Sequence, residues 1–212
     1  MYIPKHFQIT DTQEAVSFMQ RYSFATLVNN TNDGLPQATH LPFLVKHEGD
    51  AVVLSSHLAA ANPQASDVIK GQSLVIFTEP HAYIAPKHYE KDLNVPTWNY
   101  IAVHAYGVAT IVTNESEQLK ALEHMVSFYD ADYLKQWNNI PLDYKLKMCK
   151  GIVVFDIKVT DLQGKKKLSQ NRTDTDQQSI ITAFSHSNDV TERVIADYMQ
   201  LEATKKPVKN LI

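Results

Sequence analysis

Cysteine is almost missing from this chain: Cys149 is the single one in 212 residues, so no intramolecular disulfide can form and Cys-rich zinc patterns are excluded. The lone thiol is expected to be a small buried hydrophobe. No run approaches the roughly 18 uninterrupted apolar residues of a spanning helix, and no charged-then-apolar leader opens the sequence. A cytoplasmic protein without membrane segments is expected. Low-complexity segments and fixed-period repeats are also lacking. There is no His-Glu-x-x-His and no Gly-x-Ser-x-Gly elbow, which removes the strongest zinc-hydrolase and serine-hydrolase signatures. His81, His88 and His104 follow no ligand spacing, and no metal is expected, although the three could still meet in space. An excess of positive charge is missing too. The formal net charge is −3 and the pI about 6.3, which argues against a chain that grips nucleic acid by bulk electrostatics. The basic runs Lys165-Lys166-Lys167 and Lys205-Lys206-Pro207-Val208-Lys209 read as a solvated turn and a frayed end.

What is present is the composition of a globular chain, 44% hydrophobic and 20% charged, long enough to bury one sizeable core. Asp11 with Glu14 forms a capping-box pattern before Ala15, Phe18, Met19 and Tyr22, predicting a helix over 11–21. Asn32-Asp33-Gly34 between Phe24 to Val28 and Pro36 to Val45 predicts a hairpin, and Ala51 to Ser56 a third strand. Asn62-Pro63 and Gly71 bracket a short helix over 63–70. Further strands are predicted at Ser73 to Phe77, Tyr83-Ile84, Trp98 to Tyr106 and Val108 to Val112, with Gly107 a bulge or close approach of two backbones. Helix follows from Asn114 to about Met148. Ile152 to Val159 returns to strand, Gly164 turns it, and one or two amphipathic helices lie over about 174–204. Strands in succession, interrupted and followed by helices, make an α+β chain built on an antiparallel barrel.

Three stretches carry chemistry. In Val95-Pro96-Thr97-Trp98-Asn99-Tyr100-Ile101-Ala102-Val103-His104-Ala105-Tyr106-Gly107, period-two alternation puts Trp98 and Tyr100 on one face of a strand and Thr97, Asn99 and Ile101 on the other. One face could wall a planar ring, and Tyr83, Trp98 and His104 together read as a lined pocket. Ala38-Thr39-His40-Leu41-Pro42 ends on a proline that cannot donate to a ladder, so it belongs at an edge or beside a ligand. Ser55-Ser56-His57-Leu58-Ala59-Ala60-Ala61-Asn62-Pro63 joins a strand to a helix start, where unpaired amides would favour a phosphate.

These stretches, with Pro80-His81-Ala82-Tyr83-Ile84-Ala85-Pro86 and Lys167-Leu168-Ser169-Gln170-Asn171-Arg172, resemble the PaiB-type family of FMN-binding negative transcriptional regulators, from Met1-Tyr2-Ile3-Pro4 to about Ala183. The resemblance implies an antiparallel split β-barrel of the FMN-binding type with flanking helices, a single domain over 1–212, a helical insertion about 114–148 and a homodimer. It implies FMN as cofactor, with contacts from Thr39, His40, Leu41, His57, Leu58, Asn62, Tyr83, Trp98, Asn99, His104, Lys167, Ser169, Gln170, Asn171 and Arg172. The family's His-Leu-Ala-Arg-Ala-Asn-Pro segment has Ala60 here in place of the arginine, so Lys167 or Arg172 is expected to supply the phosphate charge. Regulation through a ligand or redox signal is the implied role. An FMN-dependent oxidoreductase and a cofactor-free dimeric scaffold remain alternatives, with no catalytic residue assigned. Direct DNA binding is not expected, because the 174–200 stretch carries Asp174, Asp176, Asp189, Glu192 and Asp197 rather than a basic recognition helix.

Overall fold

A computed structural model describes residues 1–205. In chain order its strands and helices are β1 (Gln8–Ile9), α1 (Thr12–Arg21), β2 (Phe24–Asn30), β3 (Pro36–Pro42), β4 (Leu44–Glu48), β5 (Ala51–Ala59), α2 (Gln64–Asp67), β6 (Gln72–Ile84) and β7 (Thr97–Ile111). The remainder is α3 (Glu115–Tyr129), α4 (Leu134–Asn139), α5 (Leu142–Cys149), β8 (Ile152–Lys167), α6 (Asp174–Ser185) and α7 (Val190–Lys205). The strands join as β3-β2-β6-β7-β8-β5-β4, with β1 paired on β8. Every paired register is antiparallel. The sheet stays open, with β3 and β4 at its ends, and with the helices it makes the expected α+β split-barrel architecture.

The chain divides into two compact units, one of residues 11–77 and 103–163 and one of residues 1–10, 78–102 and 164 onward. In the first, Phe24 to Asn30 run opposite Pro42 to Pro36, and Gly34 takes φ +77 in the connecting turn, the left-handed region that glycine enters freely. Asp11 caps α1 by accepting from the Gln13 amide at 2.9 Å, and the helix buries Ala15, Val16, Phe18 and Met19. Phe43, Phe77 and Phe155 meet edge to face at 5.9 and 6.4 Å, all fully buried. Each stabilises the unit by about 1.5–3 kcal/mol. Around them lie Leu27, Leu54, Leu58, Val75, Val103 and Ile157.

The second unit buries Ile84, Ile101, Leu168, Ile180, Ile195 and Met199, with α6 and α7 packed on each other. Thr173 caps α6 through the Asp176 amide at 3.1 Å. Lys166 of β8 reaches Glu202 of α7 at 2.6 Å.

Several boundaries differ from the sequence expectation. Phe43 divides the expected Pro36 to Val45 strand, because its ring turns into the core while its amide donates to Ser23. The expected strands Ser73 to Phe77 and Tyr83-Ile84 are one strand, β6, that continues through Pro80. The 63–70 helix is a single turn, and the 114–148 helix is three pieces. Gly107 sits inside an unbroken β7, and it does mark a close approach: a Cβ there would collide with the Lys158 carbonyl oxygen and Ile157. Gly164 does not turn the chain. β8 passes straight through it, and Ile9 of β1 occupies the space above it. The Lys165-Lys166-Lys167 run is therefore strand rather than solvated turn, with Lys165 and Lys166 only 8% and 6% exposed. The second basic run extends beyond the described residues.

Candidate functional site

In the unit of residues 1–10, 78–102 and 164 onward, the opening of β7 alternates as expected. Asn99 and Ile101 are buried, whereas Trp98 is 51% exposed and Tyr83 of β6 46% exposed. The two exposed rings lie edge to face, centroids 5.7 Å apart, with His81 tilted 5.9 Å from the indole. A strand spends large aromatics this way only at some cost in solvent exposure. What it presents is an aromatic surface on which a planar molecule can rest.

Cations gather on the same backbone. Lys167 donates to Thr97 Oγ1 and to the Trp98 carbonyl, both at 2.5 Å, and its ammonium lies 5.9 Å from the Phe7 ring. Lys165, two residues earlier on the strand, lies over the rings of Tyr100 and Tyr2 at 5.1 and 5.8 Å. Arg172 stacks on Tyr89 at 4.2 Å and donates to Asn94 Oδ1 at 2.7 Å. All these partners are neutral, and among the described residues no carboxylate bridges to the three. Burial, then the charges of Lys165 and Arg172, hold the Lys167 ammonium below its ordinary pKa. Three cations with neutral partners, two of them repelling the Lys167 ammonium, can seat an anion. The Tyr89 hydroxyl beneath Arg172 is buried and has no partner, a second polar atom left over.

The turn that carries Arg172 is held tightly. Ser169 takes φ +61, uncommon for a residue with a side chain, and its hydroxyl donates to Asn99 Oδ1 at 3.1 Å. Gln170 closes the loop, accepting from the Leu168 amide and donating to the Lys166 carbonyl. Thus Ser169 and Gln170 position the turn, and Asn99 is spent on Ser169 and on Met199 Sδ. Asn171 lies in the same turn, exposed.

The unit of residues 11–77 and 103–163 holds Thr39, His40, Leu41, His57, Leu58, Asn62 and His104. Asn62 Nδ2 donates to Thr39 Oγ1 at 3.1 Å, Thr39 donates to Gln64 Oε1, and Gln64 Nε2 donates to Asn29 Oδ1 and the Leu27 carbonyl. His40 stacks on Phe24, and Leu41 and Leu58 are buried in the unit. Most of the amides at this junction are engaged: those of Ala60, Asn62, Gln64, Ala65 and Ser66 donate within the segment or to Gly151. A four-residue helix adds no useful dipole, so with those amides engaged this strand-to-helix junction offers few free donors to a phosphate. His57 and His104 are both held below the ordinary imidazole pKa by burial, and each has a shielded Nδ1 without a partner.

Lys165, Tyr89 and Gln64 are the residues that sequence reasoning passed over. Lys165 had a usable signal, since it shares a strand face with Lys167 once the strand is read through Gly164. Gln64, 1% exposed at the centre of an amide and hydroxyl network, had none.

A family model described as "Putative FMN-binding domain" matches residues 1–161. The chain is 37% identical over 214 residues to Protease synthase and sporulation protein PAI 2 of Bacillus subtilis (strain 168), covering 97% of this chain and 100% of that one. It is 28% identical over 214 residues to an uncharacterised protein of Emericella nidulans, covering 82% and 85%. Among solved structures it is similar to the flavocytochrome Anf3 of Azotobacter vinelandii, with TM-score 0.60, 16% identity, and 78% and 72% of the two chains covered. It is also similar to an FAD and heme binding protein of Mycobacterium smegmatis, with TM-score 0.60, 14% identity, and 81% and 79% covered. At these identities the structural likeness is one of fold.

Proposed function

From the premise that this chain belongs to the PaiB-type family of FMN-binding domains, we propose that it binds FMN, with Lys165, Lys167 and Arg172 facing the phosphate and Trp98 and Tyr83 facing the ring. The observation that carries this reading is the uncompensated cation cluster, one member of which is anchored on the backbone of Trp98 itself. FMN needs an anion seat and an aromatic surface, and this unit offers both. A bound flavin supplies one- and two-electron redox chemistry, while the chain's own residues supply placement and field. Lys167 orients through two hydrogen bonds and keeps a third N–H for the ligand. The Tyr89 hydroxyl gives a further donor. The test is the visible spectrum of gently purified protein with the mass of the small molecule it releases: a flavin spectrum and the mass of FMN are expected, and a colourless protein that fails to take up added FMN overturns the reading.

The role we propose is that of a regulator of the PaiB type, acting through a ligand or redox signal rather than by reading DNA. The acidic charge of α6 and α7 supports this, since Asp174, Glu192 and Asp197 of these helices, with Asp189 just before α7, repel phosphate. Titration of labelled promoter fragments from 50 to 200 mM salt checks it. Sequence-selective binding that falls by about three to five decades over that range would restore a direct reader contacting about 6–10 phosphates. The unit of action we propose is a homodimer, because β3 and β4 each leave one edge without a strand. Light scattering should give twice the 24.0 kDa chain mass, and a monomer at micromolar concentration would remove the claim.

A further inference from the structure

The three consecutive lysines at the end of β8 are held in three different ways. Lys166 is ion-paired with Glu202 at 2.6 Å, and Lys165 rests against the faces of Tyr100 and Tyr2. Both are buried. Lys167 is partly exposed and donates to two neutral oxygens, Thr97 Oγ1 and the Trp98 carbonyl; among the described residues no carboxylate pairs with it. The buried Phe7 ring stands 5.9 Å from its nitrogen, at the outer limit of a cation–π contact. Two acceptors are the number that a neutral amine uses, since it has two N–H donors and one lone pair. Held by both oxygens, the amine turns its lone pair away from them. Burial, then the charges of Lys165 and Arg172, lower the Lys167 pKa. A lysine desolvated beside other cations is the form in which this side chain acts as a nucleophile.

We propose that Lys167 is a nucleophilic amine that condenses reversibly with an aromatic aldehyde carrying an anionic group. The surroundings select this class. Arg172, partly exposed, and Lys165 draw the anion, and the exposed rings of Trp98 and Tyr83 offer a surface to a flat body beside the amine that the Trp98 carbonyl anchors. In the step, the Lys167 lone pair adds to the carbonyl carbon. Both N–H hydrogens then leave with the carbonyl oxygen as water, and a C=N bond replaces the C=O bond. Nothing is oxidised or reduced, and hydrolysis reverses the step. The activity goes beyond flavin binding and shares only the cations and the two rings with it, so an aldehyde held here competes with any other anion for the same seat.

The probe is 4-formylbenzoate, with methyl 4-formylbenzoate as its neutral counterpart. Each is incubated with the full chain from about pH 6 to 10 and trapped with cyanoborohydride, and peptide mass mapping reads the adduct on each lysine. Near neutral pH the carboxylate should label Lys167 at least about tenfold more than the exposed Lys87, Lys91 and Lys147, and labelling of Lys167 should rise at lower pH than theirs. The ester should label Lys167 at least about threefold less than the carboxylate. Arg172→Met and Lys165→Met, in whichever keeps native far-UV circular dichroism, should move the Lys167 profile to higher pH and narrow the gap between the two probes. Adduct spread evenly over the exposed lysines overturns the proposal. So does a Lys167 profile that coincides with theirs, and so does equal labelling of Lys167 by carboxylate and ester. Selective labelling of Lys167 in a protein that takes up no FMN upholds the proposal and removes the flavin reading, whereas FMN binding without selective labelling does the reverse.

Discussion

Replacing Lys167 with methionine separates what this side chain does for the fold from what it does for a ligand. The methionine keeps an apolar stem near Phe7 and removes the ammonium that donates to Thr97 Oγ1 and the Trp98 carbonyl. Each lost hydrogen bond costs about 0.5–1.5 kcal/mol. Against this, the variant no longer buries a charge or sets it against Lys165 and Arg172, the causes that lower the Lys167 pKa. The two sides nearly cancel, and stability should move by no more than about 1 kcal/mol. Ligand binding has no such offset. One charge-assisted hydrogen bond to a phosphate is worth about 1.5–3 kcal/mol, so FMN affinity should fall about ten- to 150-fold. Quenching of FMN fluorescence on titration measures the affinity, and urea denaturation the stability. The salt dependence of binding should also flatten in the variant, because one cation fewer faces the phosphate. A folded Lys167→Met protein that binds FMN as tightly as the wild type would refute the assignment.

Three further outcomes follow from the same geometry. Ala60→Arg restores the residue that the family carries in that segment, at an exposed turn, and FMN affinity should stay within twofold if the phosphate meets the Lys165, Lys167 and Arg172 cluster; a gain of tenfold or more would move the phosphate to the 57–62 segment. Gly107→Ala drives a methyl into the Lys158 carbonyl and Ile157, and urea denaturation should show a loss of at least about 1–3 kcal/mol; a neutral result would mean that the strands separate there at little cost. His57 and His104 have folded pKa values below the ordinary 6.5, so their contribution is present above that pH and is lost as pH falls and the unfolded chain takes up protons first. Calorimetry at pH 7.5 and 5.5 should find a smaller drop in Tm in His57→Phe and His104→Phe than in wild type, and equal drops would exclude both imidazoles as the source.

The parts of the fold legible in the sequence were those set by neighbours along the chain. Asp11 and Asn114 cap α1 and α3 because a side-chain acceptor two or three residues ahead of free amides needs no tertiary help. The hairpin at Asn32-Asp33-Gly34 is equally local. What sequence could not supply is what packs across space. Phe43 breaks a strand because the core wants its ring, and Gly164 continues one because Ile9 fills the gap its missing side chain leaves. The aromatic half of the candidate site was visible, since Trp98 and Tyr83 are costly residues in an odd place. The occupancy of the amides near Asn62 was not, because a hydrogen bond from Ala60 to the Gly151 carbonyl joins positions far apart in the chain.

The run Lys165-Lys166-Lys167 shows how one misread glycine hides a candidate site. Read as a turn after Gly164, three lysines are a solvated loop and a candidate for contact with any polyanion. Placed on β8, they are sorted by the period of two that every strand imposes. Lys166 points to one face and is neutralised by Glu202 of α7 at 2.6 Å, so it ties the helix to the strand. Lys165 and Lys167 point to the other, where Tyr100, Tyr2, Thr97 and the Trp98 carbonyl hold them without cancelling their charge. Adding Arg172 gives three free positive charges on a chain whose net charge is −3. Three cations neutralise about three phosphates, which limits the salt slope of any nucleic-acid contact to about −2.7 in log–log terms, shallow for a duplex reader. The same three charges are ample for a single phosphate monoester, and the alternation that isolates them also presents Trp98 beside them. A local, anion-sized positive site within an acidic protein is thus what the strand's geometry produces from this sequence, and it favours a nucleotide-like cofactor over a nucleic acid.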